Sequence, residues 1–112
     1  MRTIKFKFWN HIVGRMSPVY TLQQLQLEKV LWINVITLQF TGLLDRNGVE
    51  IYEGDILELD DIIIPVTWMD GGFHMISNEN QGKSPLVQDR VKHFKVIGNI
   101  YQNHELIQSI NP

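Results

Sequence analysis

The chain has 112 residues, 44% of them hydrophobic, and no cysteine. That suffices for one compact domain with its own core, and it excludes disulfides, thiolate metal sites and cysteine nucleophiles. Ten Lys and Arg against twelve Asp and Glu give a formal charge of −2, a poor endowment for general phosphate-backbone binding, which draws on clustered cations; a local basic patch stays open.

The opening MRTIKFKFWNHIVGRMS interleaves Lys with apolar residues. It has neither the unbroken apolar run nor the small-residue cleavage site of a secretory signal. No stretch reaches the ~20 apolar residues of a membrane span. A cytoplasmic protein is therefore expected. In TIKFKFW, Ile4, Phe6 and Phe8 fall on one side of an extended strand, and Thr3, Lys5, Lys7 and Trp9 on the other. Strand alternation predicts the Phe rings in the core and the Lys side chains in solvent. Residues 10–34 are the least strand-like part and read as an appendage or a lid. Within them Thr21 stands three residues before Gln24, the capping-box spacing, and Leu22 and Leu25 follow at helical spacing. A short helix over 21–27 is predicted.

The remainder alternates strand and turn. VITLQFT puts Ile36, Leu38 and Phe40 on one face, with Thr37, Gln39 and Thr41 on the other. DILEL aligns Leu57 and Leu59. IIIPVTWM aligns Ile62, Ile64, Val66 and Trp68, which predicts Trp68 in the core. Pro65 lacks a ladder donor and is expected at an edge or bulge. The run Ile62-Ile63-Ile64 is apolar on both faces, so a cover from the N-terminal segment or a second subunit is expected. GFHMIS presents Phe73 and Met75 together, with His74 outward. FKVIGNIY presents Phe94, Val96 and Ile100, and Gly98 in mid-strand marks a bulge or bend. Turns are signalled at Asn47-Gly48, Glu53-Gly54, Asp60-Asp61, Asp70-Gly71-Gly72 and Asn80-Gln81-Gly82. Ser84-Pro85 offers a helix start, and Asn103 an N-cap for a last turn. Short strands at this spacing argue for an all-β barrel or sandwich.

Few residues carry chemistry. The carboxylates Asp45, Glu50, Glu53, Asp55, Glu58, Asp60 and Asp61 do not fit the ligand offsets of a calcium loop. Asp45 and Asp55 read instead as turn acceptors for nearby backbone N–H groups. The four His, at 11, 74, 93 and 104, show no i, i+4 pair and no HExxH. No serine sits in GxSxG, and the glycines fit no nucleotide-binding loop. No catalytic residue, metal or cofactor is assigned, and no enzymatic activity or small-molecule substrate is expected. Basic residues lie beside aromatics in two places: Arg2, Lys5 and Lys7 with Phe6, Phe8 and Trp9, of which only Trp9 shares a strand face with Lys5 and Lys7, and Arg90, Lys92 and Lys95 with His93 and Phe94. Such interleaving serves single-stranded nucleic acid by stacking plus phosphate contact. Trp9 and Trp32 are candidates for a partner-facing surface, unless residues 10–34 fold over them.

The stretch LQFTGLLDRNGVEIYEGDIL resembles the signature of the YopX family of phage and prophage proteins, which runs aromatic-Thr-Gly-Leu, Asp, Asn-Gly, Glu-Ile, Glu-Gly-Asp-Ile. Its positions here are Phe40-Thr41-Gly42-Leu43, Asp45, Asn47-Gly48, Glu50-Ile51 and Glu53-Gly54-Asp55-Ile56. VIGNIYQNHELI, Val96 to Ile107, resembles the family's closing motif, with His104 where the pattern has Pro, and IKFKFWN resembles its first strand. Residues 10–34 match nothing in the pattern. The resemblance implies one YopX-like domain over 1–112: an N-terminal strand and variable segment over 1–34, then an SH3-like small barrel over 35–112, mainly β with one or two short helices. It implies a phage or prophage origin in a bacterial host, and no particular activity. A non-enzymatic binding or adaptor module, which makes contact through aromatic and apolar side chains and is open to self-association, is the function expected. A nucleic-acid-binding module using a local basic and aromatic surface is the alternative.

Overall fold

The computed structural model describes residues 3–27, 35–76 and 83–108. The first sheet contains β1 (Lys5–Asn10), β2 (Arg15–Met16), β3 (Tyr20–Thr21), β4 (Val35–Leu44) and β5 (Glu50–Tyr52), with α1 (Leu22–Leu27) after β3. Its order is β2-β1-β4-β5, and β3 also pairs with β1. The second sheet contains β6 (Asp55–Leu59), β7 (Ile62–Met69), β8 (Gly72–Ile76), β9 (Lys83–Pro85) and β10 (Lys95–Asn99), in the order β10-β6-β7-β8-β9. Two single-turn helices, α2 (Gln88–Val91) and α3 (Glu105–Gln108), complete the chain. The mainly β expectation holds. The second half is a five-stranded sheet whose end strands, β10 and β9, do not pair with each other among the described residues.

The predicted capping box forms. Gln24 N–H donates to Thr21 Oγ1 at 3.2 Å, and Thr21 N–H donates to Gln24 Oε1 at 2.8 Å. These satisfy two donors that a helix start leaves orphaned. The residues before α1 are no free appendage, since β2 and β3 both pair with β1. Ser17 closes that edge: Phe8 N–H donates to Ser17 Oγ, and Ser17 N–H to Phe8 O, both at 2.9 Å.

The register of β1 on β4 overturns one expectation. Lys7 lies opposite Leu38 and Trp9 opposite Ile36. Directly opposed residues in an antiparallel pair share a face. The Lys side of β1 therefore joins the apolar side of β4, and Phe8 joins Thr37 on the other. This sheet is apolar on both faces, strand by strand, so Lys5 and Lys7 cannot both be solvated and leave Phe40 covered. The outcome is a buried Phe40, Leu38 and Phe8 and a Lys5 side chain only 19% exposed.

The core proper is formed by Ile51, Leu57, Ile64, Val66, Met75, Val91 and Phe94. Ile51 belongs to the first sheet and the others to the second sheet or the α2–β10 segment. Three further expectations change here. Trp68 is not in the core: it is 48% exposed, because it follows Val66 along β7 beyond the end of the packed cluster. Pro65 sits within an internal strand, not at an edge. It is the last β7 residue paired with β6, and Val66 is the first paired with β8, so the missing donor falls where the strand changes partner. The triple-Ile strand receives α3, from the C-terminal end of the chain, against it, while Ile62 stays 50% exposed.

Gly98 does mark a bulge: the β10–β6 register shifts between Val96 and Gly98. Ser84-Pro85 belongs to β9 and starts no helix. Asn103 does not cap α3 with its side chain. Its Oδ1 turns back to accept from Asn99 N–H at 3.1 Å.

Candidate interaction site

The family-like stretch is where the two sheets meet, and its residues act mainly on backbone. Thr41 Oγ1 donates to Ile51 O at 2.7 Å and accepts from Leu43 N–H at 3.2 Å, bracing the irregular register between Phe40 and Leu44. Asp45 is 5% exposed. Its Oδ1 accepts from Asn47 and Val49 N–H, each at 2.8 Å, across the Asn47-Gly48 turn. Its Oδ2 accepts from Val96 N–H of β10 at 2.9 Å, and Arg46 N–H donates to Phe94 O at 2.8 Å. One carboxylate thus shapes a hairpin turn and joins it to the edge of the other sheet. Burial works to raise the Asp45 pKa, but three backbone donors and the Arg46 charge outweigh it, holding the carboxyl below its ordinary range.

The corner from Glu53 to Asp55 connects three elements. Glu53 N–H reaches Gln39 O of β4 at 2.9 Å, Gly54 N–H reaches Val66 O of β7 at 2.9 Å, and Ile100 N–H reaches Gly54 O at 2.8 Å. Gly54 holds φ +86°, and a Cβ there would lie 3.0 Å from the Tyr101 ring, so both backbone conformation and space require glycine. Asp55, 4% exposed, accepts from Tyr52 N–H at 2.8 Å. Burial pushes its pKa up to about 6, against the pull of that N–H and of Lys7, with the Asp45 charge adding upward.

Above this corner lies a mixed aromatic and charged cluster. Lys5 is ion-paired with Glu50 and stands 4.7 Å over the Phe40 ring. Lys7 Nζ stands 4.2 Å over the Tyr52 ring, and Tyr52 Oη donates to Glu50 Oε1 at 3.2 Å. Burial, then Glu50, pushes the Tyr52 phenol well above its ordinary range. Trp9 is half-buried and stacks on Tyr101, with centroids 6.0 Å apart and planes inclined 30°. The structure brings Lys5, Lys7 and Trp9 together as expected of one face, but as internal packing of cations over rings. Trp32 lies outside the described residues. Among the described residues no three His, Asp or Glu side chains gather at metal-ligating distance.

Sequence reasoning missed one surface and one member of another. The first is the end of the β7–β8 hairpin, where Trp68 meets Phe73 edge to face at a centroid distance of 4.8 Å. Leu86 N–H donates to Phe73 O at 3.0 Å, so Trp68, Phe73 and Leu86 form a row across β7, β8 and the chain after β9. The second is the basic grouping around α2 already read from the sequence, Arg90 and Lys92 with His93, which Arg46 joins from the β4–β5 turn. The signal for the first was available: Trp68 lies two residues from the Asp70-Gly71 turn, beyond the reach of a small core. Arg46's membership of the second depends on a contact distant in sequence and left no local trace.

Residues 5–108 match the family model described as YopX protein. No curated protein matches the chain. Among solved structures, the crystal structure of protein EF1440 from Enterococcus faecalis is similar, with a TM-score of 0.70 and 23% identity over 96% of this chain and 99% of that one. At that identity the likeness shows the fold alone. The family match spans the β1 strand, the Thr41–Asp55 corner and the Asn99–Asn103 clasp described above, and on it the chain belongs to the YopX family.

Proposed function

We propose that this chain is a non-enzymatic binding or adaptor module of phage or prophage origin, acting in the bacterial cytoplasm and associating with a second copy of itself. The phage setting follows from the family resemblance. The binding role follows from one observation: Trp68, the largest apolar side chain of the second sheet, is 48% exposed at the end of the core face. An indole resting on a second ring is a rigid, amphipathic anchor that loses little side-chain freedom when a partner covers it. Trp9, the sequence-based candidate, is instead engaged with Tyr101. The turn residues of the 41–55 stretch support the reading from the other side, since their polar groups are directed at backbone donors and acceptors.

Light scattering across a range of concentrations tests it. The mass is expected to rise above the 13.1 kDa of the single chain, and Trp68→Ala is expected to abolish the rise while retaining the wild-type circular dichroism. A wild-type protein that stays monomeric at every concentration, or a Trp68→Ala protein that associates as well as the parent, overturns the reading.

A further inference from the structure

The chain contains two basic groupings, and the fold treats them differently. Lys5 and Lys7 are held over aromatic rings and beside Glu50. The grouping over residues 90–95 remains at the surface and gains a member. The Gln88 side chain grips the Leu44 backbone twice: Leu44 N–H donates to its Oε1 at 3.0 Å, and its Nε2 donates to Leu44 O at 2.8 Å. Two residues on, Arg46 N–H donates to Phe94 O at 2.8 Å. The 44–46 segment therefore runs beside 88–94, and exposed Arg46 lies alongside exposed Arg90, Lys92 and His93. Local anions do little to cancel this charge. Asp45 is an ionised neighbour of Arg46, but its carboxylate is buried and turned toward three backbone N–H groups, while the Arg46 side chain is exposed. Asp89 pairs with Lys92 at 3.1 Å with both side chains largely exposed, an arrangement that contributes little. Lys95 leans toward Glu58 at 4.0 Å. Among the described residues neither Arg46 nor Arg90 has an ion-pair partner.

We propose that Arg46, Arg90 and Lys92 form a contact for the phosphate backbone of nucleic acid. This goes beyond self-association through Trp68, uses different residues, and stands or falls separately. Hydrogen bonds hold the backbone of the β4–β5 turn beside the α2–β10 segment, which brings the two arginines to one side of the molecule, and a guanidinium fork matches phosphate oxygens. A few such contacts suffice for a polyanion, because each releases condensed counterions without needing a closely fitted apolar interface. An acidic protein partner would need such an interface at its centre. Three contacts predict weak, sequence-independent binding. The logarithmic salt slope is about −2 for a single strand and about −2.7 for duplex, or roughly 15- to 40-fold weaker binding between 50 and 200 mM salt.

Fluorescence anisotropy with a labelled mixed-sequence oligonucleotide, single-stranded and duplex, tests the full chain. The double variant Arg46→Glu/Arg90→Glu is expected to lose at least about tenfold in affinity. Arg15→Glu, an exposed cation on β2, serves as the control and is expected to change little. Arg46→Gln keeps the backbone bond to Phe94 and is expected to lower the slope by about one contact, guarding against a variant that fails to fold. Absence of binding at low salt, salt-insensitive binding, or equal loss in Arg15→Glu overturns the proposal. So does tighter binding to a polyglutamate of matched charge than to the oligonucleotide.

Discussion

Asp45 and Asp55 are both buried carboxylates, yet their proton affinities move in opposite directions, because burial outweighs the single backbone donor of Asp55 but not the three donors and the Arg46 charge at Asp45. Asp45 has three backbone N–H partners and Asp55 has one. The raised Asp55 pKa, about 6 against an ordinary 3.8, means the folded chain binds this proton more tightly than the unfolded chain. Stability from Asp55 is therefore present below about pH 4 and is lost as pH rises toward 6, by on the order of 3 kcal/mol. Asp45 has the opposite sign: its depressed pKa contributes stability above pH 4 that disappears on further acidification. From these two groups, urea midpoints measured against pH are expected to peak at about pH 4. Asp55→Asn keeps an acceptor for Tyr52 N–H and is expected to remove the decline on the alkaline side of that peak. An unchanged profile would contradict the assignment. Asp45→Ala leaves three donors without their charged acceptor and is expected to lose roughly 2–4 kcal/mol in the same measurement, since bonds to charged groups exceed ordinary ones. Nothing but a small shift would mean that Asp45 merely decorates the turn.

At the scale of elements, β10 and the turn after it show how a weak position is made useful. Glycine weakens a strand, and at Gly98 the ladder is already interrupted by the bulge. The Asn103 side chain occupies the vacated space: a Cβ on Gly98 would lie 2.4 Å from Asn103 Oδ1 and 3.0 Å from its Cβ. Asn103 Oδ1 in turn accepts from Asn99 N–H, while Asn99 Oδ1 accepts from Tyr101 and Gln102 N–H at 3.1 and 2.8 Å. Gly98→Ala must displace the clasp and is expected to cost about 1–3 kcal/mol in chemical denaturation. In Asn103→Ala the obstructing amide is gone, so adding Gly98→Ala should cost much less there. Additive losses in this double-mutant cycle would refute the steric account. The bulge itself was legible from a lone glycine in an alternating run, and the α1 cap was legible from Thr21 and Gln24, because both are local. The clasp was not, because Asn103 looked equally suited to capping α3. Which face of β1 joins which face of β4 was not legible either. Each strand alternates correctly on its own, and only the register decides that Lys7 sits beside Leu38. Lys5, Lys7 and Trp9 were thus identified as one face but assigned the wrong environment. Trp68 was assigned to the core by its parity, since alternation gives side and not depth.

Across the whole molecule the question is whether two sheets behave as one folding unit. Ile51 gives the argument its sharpest form. It lies on β5, in the first sheet, yet is fully buried among Leu57, Ile64, Val66, Met75, Val91 and Phe94. Neither sheet can open at this point without exposing apolar surface of the other. The polar joints run in parallel with it: Asp45 to Val96, Arg46 to Phe94, Gly54 to Val66. Apolar burial and hydrogen bonding thus cross the same boundary, which is the condition for a single cooperative transition in a domain of this size. Ile51→Ala removes the methylenes that bridge the sheets and is expected to cost about 2–5 kcal/mol. The loss should appear equally in two probes. One is the fluorescence of Trp68 in a protein whose other tryptophans are replaced by Phe, reporting the second sheet; the other is Trp9 in the converse protein, reporting the first. Coincident midpoints that shift together in Ile51→Ala establish the joint core. If Trp9 and Trp68 instead report separate transitions, or only the Trp68 signal moves, the sheets are independent units and Ile51 is a local filler, because a residue that links two parts must destabilise both.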